Sequence, residues 1–467
     1  MGKLFGTDGV RGVIGREFTP ELVLRLARAI GSYFGRGSRI LVGRDTRSAG
    51  YYYEGLVVAG LAFEGVKVDV AGVLPTPALQ LYVRDKGYDA GVMITASHNP
   101  PEYNGVKVVG GDGIEISGEV EEEIEKIFFE ERFSSVEWQQ LSGTPGRVTN
   151  AIDYYVESIA RLVDSDRIKA RSYKVLVDCG GGATSYTTPK ILSRLGVKPV
   201  TLNCNPDPLF PARSPEPSPK SLTLAARTVV ESGAVLGVGH DADGDRAIVI
   251  DDLGRVHWGD RSGTLLAAHV VEAGIAEGPK RVFTGVSSSS LVEEYLRQYG
   301  VEVVWTPVGA PKIAKMLREM GGIAAFEENG GYMHPPHQLV RDGGMKIALM
   351  LSMLSEDGGL RSSVLFNRLP KYYPIKIKIP SSREDSTCAL AAVEELFAGE
   401  RLVKIDGVKV IGEDYWVLVR PSGTEPVLRI MLEAKSEGGA RKLLEKVLEA
   451  IASRCPSLSR SARGILS

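Results

Sequence analysis

"DAGVMITASHNP" (89–100), "GAVLGVGHDADGDR" (233–246) and "GGIAAFEENGG" (321–331) share one pattern, a short apolar run that breaks into a loop of hydroxyl, carboxylate or amide side chains. Each comes third in a fixed order. First is a strand opening into small residues: "ILVGRDTRSAG" (40–50), "VLVDCGGGATS" (175–185) and "VFTGVSSSS" (282–290). Second is a Gly followed by a β-branched run: "EGVKVDV" (64–70), "LGVKPVTL" (195–202) and "YGVEVVWT" (299–306). A helix C-cap Gly feeding a strand explains these. Recurrence of the whole order three times reads as an internal repeat, and alternation of strands with helices points to α/β architecture. We expect three similar α/β domains with mixed sheets, near 1–150, 151–255 and 256–367. Ligands of open α/β sheets bind beyond strand carboxyl ends, so each domain offers one polar loop to a shared cleft.

The remainder, 368–467, reads differently. After "PKYYPIKIKIPSS" come a helix near 386–398, the strands "YWVLVR" and "VLRIMLEA" joined by "PSGTEP", and a final helix near 437–453. This is a smaller α+β domain. In the first domain, "PELVLRLARAIGSYF" (20–34) places Leu22, Leu26, Ile30 and Tyr33 on one helical stripe, with Thr19 as N-cap and Pro20 at the first helical position. The proline-dense "NPDPLFPARSPEPSP" (205–219) cannot be a central strand and reads as a stiff surface excursion.

The totals exclude several classes. A chain of 467 residues with 43% apolar and 24% charged content is an ordinary globular protein of several domains. Its net charge of -2 gives no global field for nucleic acid or an anionic membrane. There is no apolar run of membrane-span length and no signal-peptide core. Gly6 stands where a myristoylation context needs Ser or Thr. Cys179, Cys204, Cys388 and Cys455 show no paired spacing. They read as packing residues of a protein kept in a reducing cytoplasm, and not as a zinc site.

Chemistry concentrates in the loops. Asp241, Asp243 and Asp245 alternate, so an extended segment turns them to one side. Two such charges about 4 Å apart repel by roughly 4 kcal/mol at an effective dielectric near 20. Three of them call for a cation, and oxygen ligands select a hard one such as Mg²⁺. An EF-hand is excluded because Arg246 occupies the sixth position, where Gly is required. That arginine beside a metal suits phosphate. "RPSGTEPVLR" (420–429) supplies Ser422, Gly423 and Thr424 as backbone and hydroxyl donors, and Arg420 and Arg429 as guanidinium groups, which together form a dianion receptor. Glu327 and Asn329 suit vicinal sugar hydroxyls, whereas His334 and His337 read as loop packing. Arg11 of "GTDGVRG" (6–12) faces an anion. The assembly reads as one machine in which Ser97 carries a phosphoryl group, its charge offset by Mg²⁺ on the aspartates. Either His98 or Lys107 handles the proton of the sugar hydroxyl.

"GTDGVRG", "TASHNP", "DADGDR" and "RPSGTEP", in that order, resemble the start, phosphoserine loop, metal loop and phosphate loop of the α-D-phosphohexomutase family over nearly the whole chain. The resemblance is to its phosphomannomutase/phosphoglucomutase and phosphoglucosamine mutase branches. It implies a heart-shaped fold of four domains around a central cleft. It further implies that Ser97 is phosphorylated and completes the Mg²⁺ shell with Asp241, Asp243 and Asp245. The implied reaction moves phosphate between O1 and O6 of a hexose through a hexose 1,6-bisphosphate, which also serves as activator. Two loops depart from the family pattern. "FEENGG" keeps Glu327 but has Phe326, Asn329 and Gly331 where bacterial relatives read G-E-x-S-G-H, and Ala310 stands where relatives often carry His or Asp. Broad phosphomannomutase/phosphoglucomutase activity is the expectation and phosphoglucosamine mutase the alternative. The more distant readings are an Mg²⁺-dependent sugar phosphatase with an aspartyl nucleophile and a non-catalytic sugar-phosphate sensor. The expected partner is a small sugar phosphate, with neither nucleic acid nor membrane, in a cytoplasmic monomer or homodimer.

Overall fold

A computed structural model describes residues 4–6, 8–141, 143–356, 361–422 and 426–466. The sequence repeat reappears as a hydrogen-bonding arrangement. In the first sheet, Arg39–Arg44 lies parallel to Lys67–Val73 on one side and to Ala90–Ile94 on the other, and Ala90–Ile94 pairs antiparallel with Tyr103–Gly110. Lys174–Asp178, Lys198–Leu202, Leu236–His240 and Ala247–Asp251 stand in the same relation in the second sheet. Arg281–Gly285, Glu302–Thr306, Ala324–Phe326 and Tyr332–Met333 repeat it in the third. All three sheets are therefore mixed. The glycines that turn helix into strand, Gly65, Gly196 and Gly300, all have φ between 66° and 83°. This is the left-handed region that a side chain disfavours.

The helix Pro20–Phe34 begins as expected, with the Thr19 hydroxyl accepting from the Leu22 amide at 3.3 Å. Its buried face is Val23, Leu26, Ala27 and Ile30. Tyr33, expected on that stripe, is 37% exposed, because the face turns toward Val23 and Ala27. The helix Gly343–Glu356 is buried from Gly343 to Ser355. It is apolar nearly all round, as a helix inside a large core must be, and packs against helices Ala151–Ala160, Thr188–Arg194 and Gly259–Glu272. Its first residue, Gly343, donates to the Gly244 carbonyl of the acidic loop at 3.3 Å, so the core directly supports that loop.

The fourth sheet is antiparallel, in the order Tyr373–Pro380, Val427–Ala434, Tyr415–Pro421, Val408–Ile411, Arg401–Val403. Helices Arg383–Leu396 and Glu437–Arg454 pack on it, and a further helix, Pro456–Leu466, follows the one expected to be last. Among the described residues no helix is long and apolar enough to cross a membrane.

Two expectations are corrected. The cysteines are not isolated packing residues: Cys179 pairs with Cys204 and Cys388 with Cys455. Cys179 and Cys204 follow the ends of neighbouring parallel strands, Lys174–Asp178 and Lys198–Leu202. Cys388 lies on one helix packed against the helix that Cys455 follows. Linear separations of 25 and 67 residues hide both approaches. The proline-dense segment contains no strand, but neither is it only a surface excursion. Arg213 is buried and donates to the Asp178 carboxylate at 2.9 Å and to the His240 carbonyl at 2.6 Å, directly before the acidic loop.

The third and fourth domains meet through Lys409, which is fully buried. Its ammonium lies 3.7 Å from the Trp305 ring centroid and 4.3 Å from that of Trp416. It donates to the Val286 carbonyl at 3.0 Å and to that of Ser288. Burial pushes its pKa down to about 7. Beside it the Glu433 carboxylate accepts from the Trp416 indole at 2.8 Å and from the Ser289 hydroxyl. Lys409→Ala deprives two buried carbonyls of their donor and opens a void between indoles. A destabilisation of about 3 kcal/mol is expected, read as an earlier transition in denaturation followed by tryptophan fluorescence. An unchanged transition would contradict the anchoring role.

Candidate active site

The strand Ala90–Ile94 is buried throughout, and its chain then turns sharply at Ser97, whose φ is 50°. A left-handed non-glycine residue is strained unless its surroundings fix it. Arg47 does so. Its guanidinium donates to the carbonyls of Ser97 (2.5 Å), Asn99 (2.6 Å), Pro100 (2.8 Å) and Tyr103 (3.1 Å). The Thr95 hydroxyl accepts from the Ser97 amide at 2.8 Å and donates to Asp45 at 2.6 Å. Arg11 adds bonds to the Asn99 side chain at 2.9 Å and to the Ala96 carbonyl at 3.4 Å. The serine is therefore presented by a rigid loop.

Its hydroxyl lies 3.2 Å from Asp241 Oδ2 and 3.3 Å from His98 Nδ1. Asp241, Asp243 and Asp245 are buried, with one oxygen from each within 4.8 Å of the others. Asp243 Oδ1 and Asp245 Oδ1 have no hydrogen-bond partner among the described residues. Buried carboxylate oxygens without donors are costly. A hard divalent cation provides the missing partner, so the residues present fit one. Burial, together with the charges of Asp245 and Asp243, holds the Asp241 pKa well above the usual carboxylate range. For Asp245, burial acts upward but is outweighed by Arg341, Lys107 and Arg246, and the pKa is lowered.

Lys107 reaches the acidic loop from the first sheet. Its ammonium is 3.1 Å from Asp243, 3.3 Å from Asp245 and 3.3 Å from Asp8. Burial would favour its neutral form, but Asp243, Asp8 and Asp245 more than offset this and raise its pKa. His98 is held well below the ordinary imidazole range, first by the Arg246 charge and then by burial and Arg11. Arg246 is buried 3.7 Å from Asp241 and 3.8 Å from Asp245, and its Nε has no hydrogen-bond partner among the described residues. That donor suits an anion on Ser97.

Of the sugar-loop candidates, Glu327 is buried and lies 3.5 Å from Arg341, while Asn329 accepts from the Gly331 amide at 3.1 Å and shapes the turn. Ala310 is buried at the head of the helix Ala310–Met320. Arg420 and Arg429 lie directly opposite each other in the fourth sheet, and Lys378 is opposite Arg429. Arg420 pairs with Asp406 at 3.1 Å, and Asp406 also accepts from the Val308 amide of the third domain at 3.1 Å. Ser422 continues this strand end, its amide bonded to the Val427 carbonyl at 2.9 Å. Gly423 and Thr424 lie outside the described residues.

Sequence reasoning missed Arg47, Thr76, Asp8, Arg213, Lys378 and Arg341. Asp8 stands within the quoted "GTDGVRG" and Arg47 within a repeat loop, yet their partners are distant in sequence. Thr76 donates to Asp243 at 2.7 Å and orients it.

Descriptions of the phosphoglucomutase/phosphomannomutase domains match in unbroken order: alpha/beta/alpha domain I over residues 2–135, domain II over 153–254, domain III over 258–373 and the C-terminal domain over 375–450. The chain belongs to this family of phosphohexomutases. As a family member it is an enzyme of the intramolecular phosphotransferase type. It is 50% identical over 96% of its length, and 100% of the relative's, to a phosphoglucosamine/phosphogalactosamine mutase of Sulfurisphaera tokodaii. It is 40% identical to a phosphoglucomutase/phosphomannomutase of Thermococcus kodakarensis, over 96% of this chain and 99% of that one. A crystal structure of a phosphoglucomutase/phosphomannomutase family protein from Burkholderia thailandensis superposes with a TM-score of 0.86 at 26% identity, covering 97% of this chain and 98% of that one.

Ser97→Ala should take up no phosphate from a hexose 1,6-bisphosphate, as judged by intact-protein mass spectrometry. Label on Asp241 instead would move the nucleophile to the acidic loop. Asp243→Asn keeps an acceptor for Thr76 and should retain its fold by circular dichroism while losing about 10³-fold in turnover. Normal turnover would rule out a ligand role.

Proposed function

We propose that this phosphohexomutase interconverts the 1- and 6-phosphates of hexoses through phosphorylated Ser97, and that its range spans glucose, mannose and the 2-amino sugar glucosamine. The carrying observation is the approach of Ser97 Oγ in the first domain to the acidic triad of the second at 3.2 Å. In the forward half-reaction the P–O bond to Ser97 Oγ breaks as a bond forms to the free sugar hydroxyl, whose proton passes to a base. The second half-reaction returns a phosphoryl group from the other end of the bisphosphorylated sugar to Ser97.

The chain's own groups suit these steps. Arg47 and Arg11 hold the serine loop fixed, so phosphorus and attacking oxygen meet without loop reorganisation. Arg246 offers its free donor to the transferring group. His98 Nδ1, at 3.3 Å from Ser97 Oγ, is placed to exchange a proton there, and Lys107 supplies a fixed cation deeper in the cluster. Mg²⁺ held by phosphorylated Ser97, Asp241, Asp243 and Asp245 would supply counter-charge to the phosphoryl group. The row of Lys378, Arg429 and Arg420 with Ser422, Gly423 and Thr424 binds the phosphate that is not being transferred, and Glu327 and Asn329 read ring hydroxyls.

Sugar breadth is supported by the near-full-length similarity to both an amino-sugar mutase and a glucose/mannose mutase. The same reading divides the domains near residues 150, 255 and 367. It places the enzyme in the cytoplasm with its sugar phosphates. Disulfides are compatible with that location in hyperthermophiles, whose intracellular proteins carry them.

Side-by-side turnover of glucose, mannose and glucosamine 1-phosphates, primed with the corresponding bisphosphates, should show isomerisation of all three. Turnover of only one would overturn the breadth, and release of inorganic phosphate alone would favour a phosphatase. Arg420→Ala should raise KM about tenfold with a smaller change in kcat; an unchanged KM would exclude Arg420 from the phosphate receptor.

A further inference from the structure

Arg341 is 5% exposed and stands where three domains meet. Its guanidinium donates to Asp245 of the metal loop at 2.5 Å, to Asp8 of the first domain at 3.3 Å and to Glu327 of the sugar loop at 3.5 Å. The planar fork lets one terminal nitrogen serve Asp245 and Asp8 while the other reaches Glu327. The next residue locks the backbone: Asp342 accepts from Tyr155 at 2.5 Å, from Gln338 at 2.7 Å and from the Met345 amide at 2.8 Å. Arg341 therefore projects from the fixed start of the buried helix Gly343–Glu356.

The path of its side chain depends on the residue facing it. A Cβ at Gly331 would fall 2.5 Å from Arg341 Cδ and 2.8 Å from its Cγ. These are mid-chain atoms of a buried group whose two ends are both held, so they have no free direction in which to yield. Gly331 also pairs with Arg246 in an isolated bridge, and the Ala247 amide donates to the Gly330 carbonyl at 3.2 Å, so sugar and metal loops are already joined by backbone. Arg341 adds the side-chain link.

We infer that Arg341 is the positioning residue that fixes the Glu327 carboxylate relative to the serine and the metal loop, and that position 331 is glycine to admit it. The inference rests on the mutase reading above. Arg341 acts through the carboxylates of Glu327 and Asp245. Its contribution should therefore appear in kcat and sugar orientation. Phosphate binding, which belongs to the fourth domain, should be left alone. Because its charge bears on Asp245, its removal should not weaken binding of a divalent ion.

The test uses full-length Arg341→Gln, Arg341→Lys, Gly331→Ala and the Arg341→Gln/Gly331→Ala double variant, with thermal melting to confirm folding. Arg341→Gln should lower kcat about 50-fold with KM for the hexose 1-phosphate within threefold of wild type. Arg341→Lys should recover part of that loss. Gly331→Ala should lower kcat about tenfold alone, yet by less than twofold when added to Arg341→Gln, since no guanidinium is left to displace. Additive losses, or wild-type kcat in Arg341→Gln, would overturn the inference. Mn²⁺ binding to the unphosphorylated protein, read by electron paramagnetic resonance, gives an outcome independent of turnover. Arg341→Gln should bind Mn²⁺ no more than threefold more weakly than wild type, and a larger loss would show that Arg341 builds the metal loop instead. Should the wild type isomerise none of the hexose phosphates, the mutase reading fails, while the Mn²⁺ comparison still decides whether Arg341 supports the metal loop.

Discussion

The active centre is governed by the need to neutralise buried carboxylates. Asp241, Asp243 and Asp245 are buried together where water screens them poorly, and the half-buried Asp8 joins them around Lys107. Their mutual repulsion in such a place amounts to several kcal/mol per pair. No single domain supplies the compensating charge. Lys107 comes from the first, Arg246 from the second and Arg341 from the third. Asp245 and Asp8 are thus each offset by cations from more than one domain, and the same pairings link the domains to one another.

Around that cluster, rigidity and adaptability are separated. The serine loop is over-determined by Arg47 and Arg11 and keeps a left-handed residue in place. The cross-strand row of Arg420, Arg429 and Lys378, which we propose receives the phosphate, sits on a separate sheet, joined to the third domain through the Lys409 anchor and the Asp406 link to Val308. A reaction that transfers phosphate at either end of one sugar needs a fixed transfer point and a receptor indifferent to which end it holds. Cross-strand cations recognise the dianion without reading the ring, which suits that task.

Much of this was legible in the sequence because local chemistry and periodicity carry it. The threefold strand order became three sheets of one topology, the alternating aspartates turn to one side, and Ser97 Oγ lies 3.2 Å from one of them. What escaped depends on distant pairing. Arg47 is one arginine among many until its carbonyl partners 50 or more residues away are known. The cysteines look unpaired because neighbouring strands and helices, not spacing, bring them together. Arg213 hides in a proline-dense stretch whose composition suggests surface, and Tyr33 shows that a helical stripe read from period alone can be turned by one residue.

The departures at Gly331 and Ala310 share a physical consequence. Neither position can send a functional group into the cleft: Ala310 is spent on packing a helix start, and Gly331 yields its space to Arg341. The sugar loop thus relies on Glu327 and Asn329, of which Asn329 is engaged in shaping its own turn. A site with few side-chain groups committed to the ring discriminates weakly among hexoses, since each missing hydrogen bond removes a source of rejection. It retains full command of the phosphates through the receptor and the charged centre. On the proposed reading, breadth toward the sugar and strictness toward the phosphoryl group follow from one arrangement, in which Arg341 occupies the space that a substrate-reading side chain at position 331 would need.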